Sequence, residues 1–537
     1  MSEALRRFHP LAVGAAAGAA WADLLLGLNP ELLAPGRALA LGGIVAAGGA
    51  LLASPLLLLA DRPHRRRGGG ALLFALFASL FAAFAEAQRG IFYTFVAGDA
   101  RRVLGATAVV AGLWALLSLV SAFASLGPAR RAMGAAPLPL LFLGLFLVAP
   151  LLARRSASQA SLATLPSLPA AARRSLLIVG LDGVSWELVT AGASEGFLPT
   201  LAELLKKGAA GPLASGTAVE PLALWTTAAT GKRPFKHGAV SEEVWETPAG
   251  PIRLRTLLPG SSLRLGLPFT RPRPAPAGYR SLAFWEILAR LGHETSVLGW
   301  PGAAAADADE RLKLFRVGPS RLDRPLVRSL SPAGLSPELA AGTTLAAAAR
   351  DLTILGAALG TPPQGPSNVL VLVLSGAALV SRPFGAAGDA RYWGLPVPDA
   401  GPKAQALTAY YRFLDDLLRD LLEREGRDRT ICIFSPVSYG PPPPLDELGA
   451  FLRANSPSAS PDAGADGFLL LQGAGIRAGV RLTSAELLDL APTLLVLAGE
   501  PMARDSDGRV LAEAFDERFT GSTSIPIVTT FEPGGPQ

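Results

Sequence analysis

Two uncharged apolar runs, Ala38–Ala60 and Val103–Leu126, extend for 23 and 24 residues. A helix of about 20 apolar residues crosses the hydrocarbon core of a bilayer, so runs of this length constrain the fold more than any other feature of the chain. Three further segments join them. They are Leu11–Leu28, interrupted by Asp23; Ala71–Ala85, which can extend past Glu86; and Ala135–Ala153. The spacing predicts about five transmembrane helices over residues 1–155. Arg6 and Arg7 before an Ala/Gly-rich core resemble the start of a signal peptide, but more spans follow, so the first helix is read as uncleaved.

Charge divides along the same boundary. Residues 1–155 hold 14 arginines, no lysine and 6 acidic residues, a net +8, whereas the remainder has 35 basic and 37 acidic residues. The basic character therefore belongs to the apolar half and points to membrane topology, not to nucleic-acid binding. Arginine placement, the Arg65–Arg67 run above all, favours a cytoplasmic N-terminus. An odd number of spans then puts the C-terminal domain outside the cytoplasm, in the periplasm or at the cell exterior. With 50% hydrophobic residues, 17% charged residues and a single cysteine, the composition excludes disorder, a disulfide scaffold and a Cys-rich zinc protein. Asp23 and Glu86 lie in or near spans, where ionisable groups are costly and often functional; the other reading of Glu86 is a carboxylate snorkelling from a helix end. Trp21 and Tyr93 fit interfacial anchors.

Residues 156–174, rich in Ser, Ala and Pro, read as a linker, and 175–537 as one α/β domain with a central, mostly parallel sheet. The clearest strands are Leu176–Leu181, Asn368–Leu374 and Thr430–Phe434. The clearest helices are Leu198–Lys207, Leu282–Leu291, Ala404–Arg424 and Ser484–Leu497. Pro-rich loops are expected at Leu267–Gly278, Pro436–Pro444 and Asn455–Asp466.

Leu176–Gly183 reads LLIVGLDG, a buried strand running into Asp182. Ligands of open α/β sheets bind at carboxyl ends of strands, so Asp182 is either a metal or phosphate-site residue or a turn aspartate capping the next helix. Further along come LALWTTAATGKRPFKHG at Leu222–Gly238, Phe284-Trp285, Gly299-Trp300-Pro301, DGFLLLQGAGI from Asp466, DLAPTLLVLAG from Asp489 and DSDGRVL from Asp505. In this order the set resembles the type I phosphodiesterase/nucleotide pyrophosphatase group of the alkaline phosphatase superfamily, from Ser175 to about Phe515.

The resemblance implies an alkaline-phosphatase-like fold, two divalent metals (usually zinc) held by three Asp and three His, and a Ser or Thr nucleophile. Asp182 keeps the first ligand position. Pro221 or Ala223 stands where the nucleophile belongs, with Thr217, Thr226 and Thr227 nearby and Thr226 and Thr227 as weak catalytic candidates. In the second block, Ser375-Gly376-Ala377-Ala378, Ala378 replaces an aspartate and Arg382 a histidine. In the third, Ser435-Pro436-Val437, Pro436 replaces an aspartate and Val437 a histidine. No histidine occupies Ser458–Ala465, where the last one belongs. The chain has four histidines; His9 and His64 fall in the membrane half, leaving His237 and His293 for the domain. His237 belongs to a structural Pro-x-x-His-Gly turn of the family, and His293 reads as a helix-end cap. Arg382 could pair with Asp182 in place of metal charge, or point to solvent. Lys232 and Arg233, with Lys236, form either an anion contact or a solvated turn.

The resulting expectation is a membrane-anchored, extracytoplasmic phosphodiesterase-like protein without its metal centre and without a cofactor. It would bind or scaffold an envelope lipid, glycan or protein, with the lipid bilayer itself as a partner and no nucleic acid. The alternative is an active phosphodiesterase, phosphatase or phosphotransferase with displaced ligands, using Asp182, Asp351, Asp389 and Thr226 or Thr227. A third reading places the function in the helical part, at Asp23 and Glu86.

Overall fold

The structure, a computed structural model, describes residues 3–29, most of 36–47, most of 69–123, 173–216, most of 220–252, 271–274, 280–303, 312–315, 342–360, 368–381, most of 402–437, 439–440, 460–461, 466–517, 519 and 526–532. The chain divides into two compact units. One holds Met1–Ser158, Val240–Leu258 and Arg264–Ala275, and the other holds Gln159–Ala239, Pro259–Leu263 and Pro276–Gln537.

The first unit contains helices α1 (Glu3–Leu28), α2 (Gly69–Ile91) and α3 (Gly98–Phe123). They cover the expected first, third and fourth spans. Of the second span, residues 39–47 are helical and the rest lies outside the described residues, as does all of Ala135–Ala153. Among the described residues one helix, Ala100–Val120, is long and apolar enough to cross a membrane, so the five-helix bundle is not supported. Within α1 the described apolar stretch is Ala17–Leu28, which contains Asp23. Close approach holds these helices together. A methyl group on Gly27 would meet the Leu104 side chain at 2.6 Å, and one on Gly18 would meet the Val45 carbonyl at 2.3 Å. Trp21 packs between α1 and α2, its ring stacked on Phe84 at 5.7 Å and tilted against Phe81 at 5.9 Å. Tyr93 is exposed, with the Arg101 guanidinium over its ring. Glu86 is exposed and paired with Arg89 one turn away.

This unit also includes a three-stranded antiparallel sheet of Glu243–Thr247, Gly250–Ile252 and Arg271–Pro274. The last strand falls within the expected loop Leu267–Gly278. Pro272 and Pro274 are two residues apart, opposite Trp245 and Glu243. Their missing N–H groups therefore fall on one side of an edge strand, where proline is tolerated.

The second unit is built on a nine-stranded mixed sheet. Its strands are β1 (Leu176–Leu181), β2 (Ala209–Ala214), β3 (Glu294–Leu298), β4 (Leu312–Phe315), β5 (Asn368–Leu374), β6 (Thr430–Ser435), β7 (Gly467–Gln472), β8 (Val480–Arg481) and β9 (Ala485–Glu486). The order is β8-β2-β7-β6-β1-β5-β3-β4, with β9 also paired to β2. Only β7 runs antiparallel to its neighbours β2 and β6. The central strands β1, β5 and β6 are apolar almost throughout because both faces are covered. One face packs on α4 (Trp186–Glu195), α5 (Pro199–Lys207), α8 (Gly342–Gly360), α9 (Gly376–Ser381) and α10 (Pro402–Glu425) through Leu188, Leu204, Ile354, Leu414 and Leu418.

The expected helix Ser484–Leu497 begins later, at α11 (Leu490–Leu497). Its first residues instead form β9, in register with Leu213 and Ala214 of β2, because the open edge of β2 offers backbone partners. Asp489 then takes the Glu486 and Arg509 amides and starts the turn into the helix.

Candidate functional site

The carboxyl ends of β1, β5 and β6 lie side by side, and the motif residues gather there. β1 delivers Asp182, which is buried and whose backbone N–H donates to the Leu374 carbonyl at the end of β5. Gly183 follows with φ 90°, a left-handed conformation that turns the chain out of the sheet. Ser435, ending β6, ties the neighbouring turns together. Its Oγ accepts the Val184 N–H at 3.2 Å and donates to the Val437 carbonyl at 2.8 Å.

Helix α6 (Pro221–Thr230) covers this edge. Proline at its first position has no N–H to lose there. Trp225 enters the sheet where β1 has Gly180; a methyl group on Gly180 would lie 2.6 Å from the indole. Trp300 and Phe434 pack edge-on against Trp225 or nearby, at 5.1 and 5.6 Å. Ala223, one of the two residues at the nucleophile position, is buried.

The weak catalytic candidates have other partners. Thr226 Oγ1 donates to the Leu222 carbonyl, one turn back in its own helix. Thr227 Oγ1 lies 3.1 Å from His237 Nε2, and His237 Nδ1 accepts the Ala239 N–H. That acceptance fixes the proton on Nε2, so a neutral imidazole donates to Thr227. Burial pushes His237 down to about 3. It is a structural histidine of the turn, as the resemblance implied.

The degenerate positions are equally well defined. Ala378 lies in α9, and Pro436 and Val437 follow β6; all three are buried and carry no ligand atom. Arg382, Asp389, Thr217 and most of Ser458–Ala465 lie outside the described residues, and with Arg382 the proposed pair to Asp182. Among the described residues no group of three or more His, Cys, Asp or Glu is placed to hold a metal ion. The donor set at the described family positions is one carboxylate, Asp182, and no imidazole. A two-metal centre of the family's kind does not fit it.

Asp351, a residue of the displaced-ligand reading, sits directly beneath the second block. It is fully buried, its Oδ1 accepts the Gly376 N–H at 3.1 Å, and Tyr410 donates a short hydrogen bond to Oδ2. Burial pushes its carboxyl up to about 7, against the pull of these donors, and burial beside Asp351 holds the Tyr410 phenol well above its ordinary value. A methyl group on Gly376 would meet Tyr410 Oη at 1.9 Å, so the glycine of the Ser-Gly pair is required by this contact. Asp351 therefore positions the backbone at the end of β5.

The basic loop is internally neutralised. Lys232 Nζ is 2.8 Å from both Asp505 and Glu532, and Lys236 Nζ is 2.7 Å from Asp507. Burial alone would lower the Lys232 ammonium, but the facing Glu532 and Asp505 carry it above its ordinary value. The Arg233 N–H donates to Asp507. The expected anion contact is thus replaced at Lys232 by two of the chain's own carboxylates, 273 and 300 residues away in sequence. Lys232→Met leaves these carboxylates facing each other. It is expected to cost about 2–3 kcal/mol, less than a fully buried pair because both acids are partly exposed. Denaturant unfolding of the full-length protein measures the loss, and an unchanged midpoint would contradict the assignment.

Residues 176–435 match the family model described as type I phosphodiesterase / nucleotide pyrophosphatase. Over these residues the α/β unit is similar to this family. No curated protein matches the sequence. Among solved structures, similarity is found to a 2-O GAG sulfatase at 13% identity, covering 64% of this chain and 74% of that one with a TM-score of 0.41. The human ectonucleotide pyrophosphatase / phosphodiesterase 5 matches at 12% identity, with 64% and 100% coverage and a TM-score of 0.38. A mutant of the alkaline phosphatase PafA matches at 9% identity, with 66% and 100% coverage and a TM-score of 0.43. In this unit, the residues that the sequence alone does not single out are Tyr410 and Glu532. Each acts through a contact distant in sequence, for which no local motif exists.

Proposed function

We propose that this protein is a membrane-anchored, extracytoplasmic member of the phosphodiesterase family that has lost the two-metal centre and works by binding or scaffolding at the cell envelope. Its partner would be an envelope lipid, a glycan or another protein. The observation that carries the reading is the chemistry at the strand ends. Ala378, Pro436 and Val437 fill ligand positions with buried groups that cannot coordinate a metal, beside the single carboxylate of Asp182. Anchoring is supported by the exposed large apolar residues of the helical unit, among them Leu76, Phe77 and Leu80 on α2 and Val109, Leu113 and Leu116 on α3. Contiguous apolar surface of this kind is costly in water and ordinary in lipid. The outward orientation of the α/β unit rests on the arginine distribution.

The test uses the full-length protein in detergent. Bound zinc and manganese are quantified by elemental mass spectrometry, and hydrolysis of bis(p-nitrophenyl) phosphate is assayed with each metal added. The expected result is no stoichiometric metal and no turnover above that of Asp182→Ala. Stoichiometric metal together with turnover that Asp182→Ala abolishes would establish the alternative, an active enzyme with displaced ligands. Against that alternative stand the bonds that already engage Thr226, Thr227 and Asp351.

A further inference from the structure

Among the described residues of the helical unit, one polar side chain is not satisfied by its surroundings. Asp23, in the middle of α1, is 0% exposed, and neither carboxylate oxygen has a hydrogen-bond partner. Its neighbours along the helix, Ala20, Ala22, Leu24, Leu25 and Leu26, are all buried. On the same face, one turn on, Gly27 meets Leu104 of α3, and Trp21 is packed on Phe81 and Phe84 of α2. The charged side chains described on the packed elements are committed or exposed. Glu86 pairs with Arg89, Arg101 lies over Tyr93, and Arg37 and Arg102 are exposed.

Of the three other buried polar residues described in the unit, Asn29, Gln88 and Thr107, two show what an interior position here requires. Asn29 Nδ2 donates to the Leu25 carbonyl, and Thr107 Oγ1 donates to the Val103 carbonyl, each four residues back in its own helix. A carboxylate has no donor and cannot make this bond; a carboxylic acid can, toward Ala19. An ionised, unpaired carboxylate in such a place costs far more than a neutral acid.

We infer that Asp23 is a proton-binding site inside the helical unit, occupied at neutral pH, and that release of its proton is coupled to loosening of the α1 packing. In the release step the Asp23 O–H bond breaks, the proton passes to water, and the electron pair stays on the carboxylate, which then needs a hydrated or cationic partner. Water reaches it only when the contacts at Gly18, Trp21 and Gly27 open. The site takes a proton and no larger ligand, and it is independent of the metal-site chemistry of the α/β unit.

Infrared difference spectroscopy on the full-length protein in liposomes tests this. The carbonyl-stretch band of a protonated carboxyl is followed at pH values above the Asp351 value of about 7, so that Asp351 is ionised. The expected result is a band in the wild type, shifted by carboxyl-¹³C aspartate labelling and lost completely in Asp23→Asn. Trp21 fluorescence should change in the same pH range in which the band disappears. Wild-type and Asp23→Asn spectra that coincide would overturn the proton site, and a band that titrates with Trp21 unmoved would overturn the coupling. Should Asp23→Asn fail to fold, wild-type protein treated with a hydrophobic carbodiimide, which adds to protonated carboxyls, must carry the adduct on the Asp23 peptide. An unmodified Asp23 is then the refuting result.

Discussion

Glu500→Leu is expected to destabilise the α/β unit by about 3–5 kcal/mol, the usual cost of removing one partner from a buried charged contact. Glu500 is fully buried, with Oε1 2.9 Å from His293 Nε2 and 3.4 Å from Arg173 Nε. The three residues lie in distant parts of the sequence and meet where the chain enters the domain. The Arg174 N–H donates to the Ala498 carbonyl, and Arg173 lies against Gly292, where a methyl group would meet its Nη1 at 2.9 Å. Leucine in place of Glu500 strands a guanidinium that is always charged and an imidazole with no acceptor. Glu500→Gln keeps an acceptor for His293 and loses only the charge opposite Arg173, which is 16% exposed and retains some water. It should cost roughly half as much. Denaturant unfolding of the full-length protein, followed in the near-ultraviolet, distinguishes the variants. Equal stability of the leucine variant and the wild type would show that the contact contributes nothing.

The same triad shows what the sequence did and did not make legible. His293 reads as a helix-end residue because it follows Leu291-Gly292, and the structure does place it there. Its partner, 207 residues away, follows no local pattern. The three strands at the site were legible because each is a short, almost wholly apolar run buried on both faces. β2, which reads AAGPLA, was not, since its strand character comes from partners on both sides and not from propensity. Asp182, Ala378, Pro436 and Val437 can be named from motif alone, and all four follow the ends of β1, β5 or β6 within a few residues. The network that shapes the site, Asp351 with Tyr410 and Gly376, and Ser435 with Val184, is tertiary.

Between about pH 4 and 6.5 the stability of the α/β unit should be nearly flat in the wild type and sloped in two variants, with opposite signs. Asp351 stands at about 7 in the folded chain against an ordinary 3.8, so the native state holds its proton where the unfolded chain has lost it. Its contribution is fully present below the unfolded value and is lost as pH rises through 7. His237 stands at about 3 against 6.5, so the unfolded chain binds a proton that the native state refuses. Its contribution is present above 6.5 and is lost as pH falls toward 3. Each shift corresponds to at most about 4–5 kcal/mol, and over the shared window the two slopes oppose. Asp351→Asn removes one of them. The amide can still accept the Gly376 N–H and can donate to Tyr410, so the fold should persist while stability now falls on acidification below 6.5. His237→Asn keeps an acceptor for the Ala239 N–H and should leave the opposite slope, with stability falling as pH rises toward 7. Denaturant midpoints measured across this range decide the matter, and an Asp351→Asn profile superimposable on that of the wild type would sink the argument. The effect matters at the site because Asp351 holds the Gly376 N–H at the end of β5. Ionisation of Asp351 strains that strand end first, beside the position where Ala378 stands in place of an aspartate.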